Sequence, residues 1–317
     1  MNVLCVGEML ADIIVRTVDE VPFRNDTQQV DEITIRSGGD ANNNAINLAI
    51  LGHQVRYMGR LSTDVLGDFL LENAQNYGID MRYAARSETP QTKSLILINA
   101  AGDRTFLQIP GTSREFCFGD CDLRALDGID VLQIGGALHL TAFDGAGCAE
   151  LLREAKQRGI TTTMDITTDR SGRWKGILDP CFPYLDYFLP SVEQAAMVSG
   201  KETPEEIAEY FLQQGVRNVA VKLGSRGSYF QNSREAFYAG CYRDLDIAET
   251  TGAGDAFCAG FLTGVGEGLD PAGCITLATA CSSFVIQAVG ATAGMRDLET
   301  VKRFIHERPS LTIERKA

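Results

Sequence analysis

The run Glu249-Thr-Thr-Gly-Ala-Gly-Asp255-Ala-Phe-Cys-Ala-Gly-Phe places three nearly side-chain-free residues, Gly252, Ala253 and Gly254, ahead of an apolar stretch with helical spacing. A glycine-rich turn opening a helix aims free backbone N–H groups and the positive end of the helix dipole at one point, which suits an anion such as a phosphate. Asp255 does not belong in a simple phosphate cradle, because a carboxylate beside a phosphate is repelled. Its natural task is to take a proton from a hydroxyl that attacks that phosphate. An Asp in a first helical turn is also ordinary dipole chemistry. The chain has no Gly-x4-Gly-Lys-Ser/Thr, which excludes a Walker-type phosphate loop.

Further groups with chemical potential lie upstream. Gly38-Gly39-Asp40-Ala41-Asn42-Asn43-Asn44 pairs a glycine step, where backbone can approach a ligand, with three amides at a helix start. One Asn would serve as a cap; the others offer donors and acceptors suited to neutral polyols. Asp12 follows the first strand and, as a carboxylate, can accept from two vicinal hydroxyls. Arg104 either reaches an anionic substrate or pairs with Asp103 or Glu115. Lys222, at the end of a strand before Gly224-Ser-Arg-Gly227, either contacts a nucleotide phosphate or caps its strand. Asp165 closes another strand, where hard oxygens suit the water shell of Mg²⁺, and Arg170 or Arg173 can lie near phosphates. Trp174 is expected to pack rather than stack.

The Thr250-Thr-Gly-Ala-Gly-Asp-Ala-Phe run and the Gly38-Gly39…Asn43-x-Ala45 segment resemble the two signatures of the ribokinase-like (PfkB-type) carbohydrate kinases. With Asp12 and the Leu223-Gly-x-x-Gly227 turn, the resemblance covers nearly the whole chain in order. It implies an ATP-dependent sugar kinase with Asp255 as base and Gly252–Gly254 as anion hole. Asp12, Gly38, Gly39, Asn43, Asp40 and Arg104 would face the sugar. Ser191, Lys222, Gly224, Gly227 and Thr251 would border the nucleotide. Metal contacts would come from Asp165, Glu193 and Glu249, the last beside a monovalent cation such as K⁺. One departure stands out: where the family has Asn-x-x-Glu, this chain has Ser191-Val-Glu193-Gln194. A nucleoside kinase on the same fold and a non-catalytic sugar-binding relative are the competing readings.

The elements must carry these residues. Strand and helix alternate from about residue 120 onward. This predicts an α/β, doubly wound, mostly parallel sheet with helices on both faces, and ligands of such sheets bind at the strands' C-terminal ends. Between these and the N-terminal elements, short β runs (30–36, 93–99 and 104–109) predict a smaller sheet. The whole is expected to be one kinase domain over 1–317, with a β lid from about 15–37 and 82–118 that pairs two copies into a homodimer. A net charge of −13 argues against nucleic-acid and anionic-membrane partners. No apolar run reaches the ~20 residues of a membrane span. Nine scattered cysteines read as reduced thiols of a cytoplasmic protein, and Cys117-x3-Cys121 has no His nearby to complete a zinc site.

Overall fold

The computed structural model describes residues 1–21, 27–101, 103–169 and 172–316. Arg170, and Gly102 between the expected β runs 93–99 and 104–109, lie outside the described residues. In chain order the elements are β1 (Asn2–Gly7), β2 (Leu10–Arg16), β3 (Glu32–Gly38), α1 (Asp40–Ile50), β4 (Gln54–Met58), β5 (Arg60–Ser62), α2 (Val65–Asn76), β6 (Ala85–Ser87), β7 (Lys93–Ile98) and β8 (Arg104–Ile109). They continue with α3 (Gly111–Glu115), β9 (Val131–Ala137), α4 (Ala146–Gln157), β10 (Thr161–Ile166), β11 (Tyr187–Phe188), α5 (Val192–Ser199), α6 (Pro204–Gln213) and β12 (Asn218–Lys222). The last are β13 (Ser228–Asn232), β14 (Ala236–Ala239), α7 (Ala253–Gly266), α8 (Pro271–Val285), α9 (Leu298–Glu307) and β15 (Ile313–Arg315).

The main sheet runs in the order β15-β14-β13-β12-β11-β10-β9-β1-β4. From β4 to β12 every pairing is parallel, and β13 to β15 extend it as antiparallel strands. Its central strands are continuous apolar runs (Val3–Val6; Val131–Ala137, broken by Gln133), as sheets buried on both faces require. Separate apolar clusters fill the two faces: Leu132, Phe182, Phe188 and Phe211 in one, Tyr57, Leu48, Leu262 and Leu277 in the other. Trp174 packs against the first, as expected. Helices α7 and α8 pack closely because Gly260 and Gly264 lack side chains. A Cβ on Gly260 would fall 2.7 Å from the Ala278 Cα.

The second sheet has the order β3-β2-β7-β8. It begins earlier than the lid limits read from sequence. After Gly7 the chain turns outward at Glu8-Met9 and enters β2 at Leu10, so the segment that carries Asp12 after the first strand belongs to the second sheet. Ala85–Ser87 pairs with β5 in a separate two-stranded ribbon. Strand register sorts the second sheet's side chains. Ile33, Ile35, Ile13, Val15, Leu95, Leu97, Leu107 and Ile109 fall on one face. Asp12, Ser94, Gln108, Phe106 and Arg104 fall on the other.

Candidate active site

The sequence-singled residues converge where the C-terminal ends of β1, β9, β10 and β12 meet the starts of α1 and α7. Gly252 opens α7 with φ 79°, a left-handed conformation suited to glycine. It lies against the backbone of the 290s: a Cβ there would fall 2.0 Å from the Ala291 carbonyl oxygen. Ser282 donates to the Ala253 carbonyl at 2.8 Å. The turn is thus held from behind, its Ala253 N–H donates to the Thr250 carbonyl at 3.2 Å, and the next N–H groups stand at the open end of a 14-residue helix.

Asp255 sits in the first turn of α7 and is buried. Asn43 Nδ2 donates to one carboxylate oxygen at 2.9 Å and Asn44 Nδ2 to the other at 3.3 Å. Capping does not explain these asparagines, since α1 is capped by Gly39 with no side-chain hydrogen bond. Asn44 also donates to the Asp40 carbonyl at 2.8 Å, which fixes its amide. Burial, with the nearby Asp165 charge, pushes Asp255 up to about 7, while the Asn43 hydrogen bond and Lys222 work against the rise.

Lys222 projects from the end of β12 into the same space. Its Nζ lies 2.6 Å from Asp165 Oδ2 and 3.8 Å from Cys258 Sγ. A Cβ built on Gly254 would stand 3.2 Å from that ammonium, so a larger residue would crowd it. Burial opposes the Lys222 charge most strongly, but Asp165, Cys258 and Asp255 together outweigh it and raise the proton affinity of the ammonium above its ordinary value. Lys222, Gly224, Gly227, Thr250, Ala253 and Gly254 line a cleft of 380 Å³, whose apolar wall includes Ile247, Phe257 and Ile286.

On the other side of Asp255 the surroundings are acidic. Asp12 lies against Gly38, where a Cβ would fall 2.3 Å from Asp12 Oδ2. Burial, then the charges of Glu8 and Glu249, push Asp12 up to about 7. Asp40, at the start of α1, is raised well above the usual carboxylate range by desolvation and by Asp255, Asp165 and Glu8. Buried Glu8 meets His139 Nδ1 at 3.1 Å. Gly39, with φ 95°, passes so near Glu8 that a Cβ would fall 2.6 Å from its carbonyl oxygen.

Arg104 pairs with neither Asp103 nor Glu115. Its guanidinium reaches from β8 to Glu249 Oε1 at 2.8 Å and donates to Thr251 Oγ1 at 2.8 Å, while Glu115 is taken by Arg60. Glu249 also accepts from Thr251 Oγ1 and from the Gly290 N–H. Ser191 caps α5 in a reciprocal box with Gln194, which occupies the Gln194 carbonyl oxygen. Glu193 stands exposed in the same first turn. Ser191 bridges to Lys222 through backbone. Among the described residues, no group of three or more His, Cys, Asp or Glu is arranged to hold a metal. Sequence reasoning did not single out Asn44, Glu8 or Cys258. For Asn44 the signal was present, since it is one of three successive amides.

The model of the pfkB family carbohydrate kinases matches residues 1–298, and the chain belongs to that family. The 2-dehydro-3-deoxygluconokinase of Bacillus subtilis is 28% identical over 283 residues, covering 84% of this chain and 86% of the relative. The ribokinase of Staphylococcus aureus is 25% identical over 90% of this chain and 94% of its own. Among solved structures, the ribokinase of Thermotoga maritima superposes with a TM-score of 0.81 at 26% identity, covering 96% of this chain and 99% of that one. The ribokinase of Arabidopsis thaliana complexed with ribose and ATP superposes at 0.82 with 23% identity, over 97% and 99%, a likeness of fold. The enzyme is a carbohydrate kinase with the ribokinase-like fold.

Proposed function

We propose that the chain transfers the terminal phosphoryl group of ATP to a hydroxyl of a sugar or sugar acid, with Asp255 as general base. The observation that carries this reading is the placement of a buried carboxylate, with an affinity for protons near neutrality, in the first turn of a helix whose opening N–H groups at Gly254 and Asp255 have no intrahelical partner. Asp12, Gly38, Gly39, Asp40 and Asn43 border the acceptor. Asp255 takes the proton of the attacking hydroxyl as its oxygen bonds to phosphorus and the bond to ADP breaks. The Gly254 N–H stabilises the transferring charge, joined by the Ala253 N–H once it exchanges the Thr250 carbonyl for the phosphoryl group. Lys222 adds a fixed cation beside that turn, and Gly224, Gly227 and Thr251 border the nucleotide, with Ser191 behind Lys222.

Mg²⁺ keeps most of its waters and needs one or two carboxylates besides phosphate oxygens. Asp165 at the end of β10 would serve that role by exchanging Lys222, which holds its Oδ2 at 2.6 Å, with Glu193 on α5 as a second candidate; the ion would neutralise charge on the phosphates. The residues do not fit a monovalent cation as well. Glu249 is engaged by Arg104, Thr251 and Gly290, so no step is derived through K⁺.

The second sheet supports a lid reading, because its polar face carries Asp12 and Arg104 and its other face is aliphatic and half exposed. That aliphatic face fits a second copy of the chain, which would give a homodimer; a monomeric mass at micromolar concentration would overturn it. No helix among the described residues is long and apolar enough to cross a membrane. A cytoplasmic location rests on the nine free cysteines.

The test is ADP release from Mg·ATP across sugars, sugar acids, sugar phosphates and nucleosides. Asp255→Asn should lower kcat by roughly 10²–10⁴ while leaving ATP and acceptor binding intact by calorimetry. Near-normal turnover in that variant would sink the assignment.

A further inference from the structure

Beside the cleft that Lys222 and the glycine turns line, the structure holds a second cavity of 520 Å³. The two cavities share the wall Cys241–Asp244, but the second is bounded elsewhere by β14, Gly240 and the C-terminal segment 308–314. That segment follows residue 298, the last that matches the family, and the site described above uses none of it. Three arginines set the chemistry of this cavity: Arg226, Arg243 and Arg308. In a chain of net charge −13, three guanidiniums around one cavity run against the general field of the molecule.

These guanidiniums are not spent on carboxylates. Among the described residues none of the three makes an ion pair, whereas Arg315 on the neighbouring β15 is taken by Glu235. Asp244 and Glu314 also line the cavity, but both are exposed and neither pairs with these arginines. Arg308 is held in place without being neutralised. It donates to the Arg243 carbonyl at 3.2 Å, and its guanidinium lies 4.7 Å from the centre of the Phe304 ring, which leaves further N–H groups free. Arg226 ends the short turn Gly224–Arg226. Its neighbours Gly224, Ser225 and Gly227 line the nucleotide-side cleft, while Arg226 itself lines the second cavity. Cys241 Sγ donates to the Ser225 carbonyl at 3.0 Å and ties that turn to the shared wall. Arginine forks bind phosphate oxygens in pairs, and a cavity of this size admits a small metabolite.

We propose that this cavity binds an organic phosphate, separately from the nucleotide-side cleft, through Arg226, Arg243 and Arg308, and that its occupancy lowers the affinity of the adjacent cleft for ATP. Arg226 lends positive potential to both cavities, and a bound phosphate cancels it. The coupling is reciprocal, so ATP in its cleft weakens the second ligand by the same factor. The site itself does not depend on the kinase reading; only the coupling does. Calorimetry tests the site on the full chain, with the nucleotide-side cleft first filled by a non-hydrolysable ATP analogue. The probes are fructose 1,6-bisphosphate and further analogue beyond the first equivalent. One of them should bind in a single additional equivalent. Arg226→Gln and Arg308→Gln should each weaken that binding about tenfold, the size of one charge-assisted hydrogen bond. Arginine-dependent binding of the bisphosphate would make the ligand a sugar phosphate; arginine-dependent binding of the second analogue would make it a nucleotide.

Absence of additional binding by both probes at millimolar concentration would overturn the proposal, and so would binding undiminished in both variants. Arg308→Lys keeps the charge and should retain most of the affinity, which separates loss of the site from loss of the fold. The coupling is read in the ADP-release assay. The probe that binds should raise the KM for ATP several-fold in the parent. Arg308→Gln should keep the parent KM without probe and lose the rise. A rise that persists in Arg308→Gln would mean that the probe competes inside the nucleotide-side cleft, and would overturn the second site. Silence in the turnover assay would count against the kinase reading alone, because calorimetry still reads the arginine-dependent binding and its effect on the ATP analogue.

Discussion

On one side of Asp255 the chain gathers Glu8, Asp12 and Asp40; on the other it offers Lys222, the glycine turns at 224–227 and 252–254, and an apolar wall of Phe257 and Ile286. On the reading proposed above, the acceptor side is built from side-chain oxygens on a strand, a turn and a helix start. The nucleotide side would then be built largely from backbone, with one buried ammonium. That difference is what the two proposed ligands call for. A polyol is recognised through many directional hydrogen bonds. A polyphosphate is recognised through N–H groups and a positive field, with carboxylates kept at a distance or neutralised. Asp165 is the exception on the nucleotide side, and Lys222 neutralises it at 2.6 Å.

The largest effect that would test this division comes from Lys222→Met. If the ammonium serves the nucleotide side, kcat/KM for ATP should fall by on the order of 10², comparable to the loss of a preorganised charge-stabilising group. Acceptor binding in the absence of ATP should change little. Lys222→Arg controls for folding, because Met would leave Asp165 as an uncompensated buried charge. Equal losses on both sides of the site, with Arg fully rescuing, would mean that Lys222 holds the two halves together rather than serving one.

The pH dependence of turnover is a smaller and more continuous test. Asp255 must be ionised to accept a proton, and it is pushed up to about 7 by burial, with Asp165 adding to the rise and Asn43 and Lys222 opposing it. The rate should therefore fall about tenfold per pH unit below that value and level off above it. In Asn44→Ala, which removes an N–H donor from the carboxylate, the acid limb should move to higher pH. An acid limb that stays near 4 would mean that the bound substrates, rather than the empty site, set the proton affinity.

How much of this was visible beforehand depends on how local the chemistry is. The Gly252–Asp255 turn and the Gly38–Asn43 segment stood out directly, because each is a few consecutive residues of unusual type, and the fold brings the two together through the Asn43–Asp255 hydrogen bond. The main sheet was legible from the alternation of β runs and helical spacing. Arg104 was not: its partners Glu249 and Thr251 are far away in sequence, and only the folding of the second sheet over the α7 turn brings them within 2.8 Å. The outward turn after Gly7, which sends Leu10–Arg16 into the second sheet, has no strong local punctuation. It depends on the close approach of Gly7 to Gly135, where a Cβ would fall 1.9 Å from the carbonyl oxygen. Ser191-Val-Glu-Gln194 was legible in a different sense. It fits the Ser-x-x-Gln capping pattern, and the structure shows that box closed, so a local structural task accounts for the side chains that replace the family's Asn and Glu.

The smallest expected effect concerns stability, and it follows from the same asymmetry. A carboxylate whose folded proton affinity is raised keeps its proton in the native state while the unfolded chain has already lost it. For Asp255, raised from 3.8 to about 7, the native state binds more protons than the unfolded state between those values. Stability should therefore decline as pH rises from about 4 to about 7 and stay low above that. Asp12 is raised over the same window but is more exposed, so solvent screening reduces its share. The cost for Asp255 is bounded by about 4 kcal/mol and will be smaller after relaxation. Asp255→Asn removes the ionisable group and keeps the shape. It should melt a few degrees higher than the parent at pH 8 and the same at pH 4, although it is the variant expected to lose turnover. An Asn variant that melts lower at pH 8 would mean that the charge is compensated in the native state, with Lys222 the candidate, and that the acidic acceptor side is less strained than its carboxylates suggest.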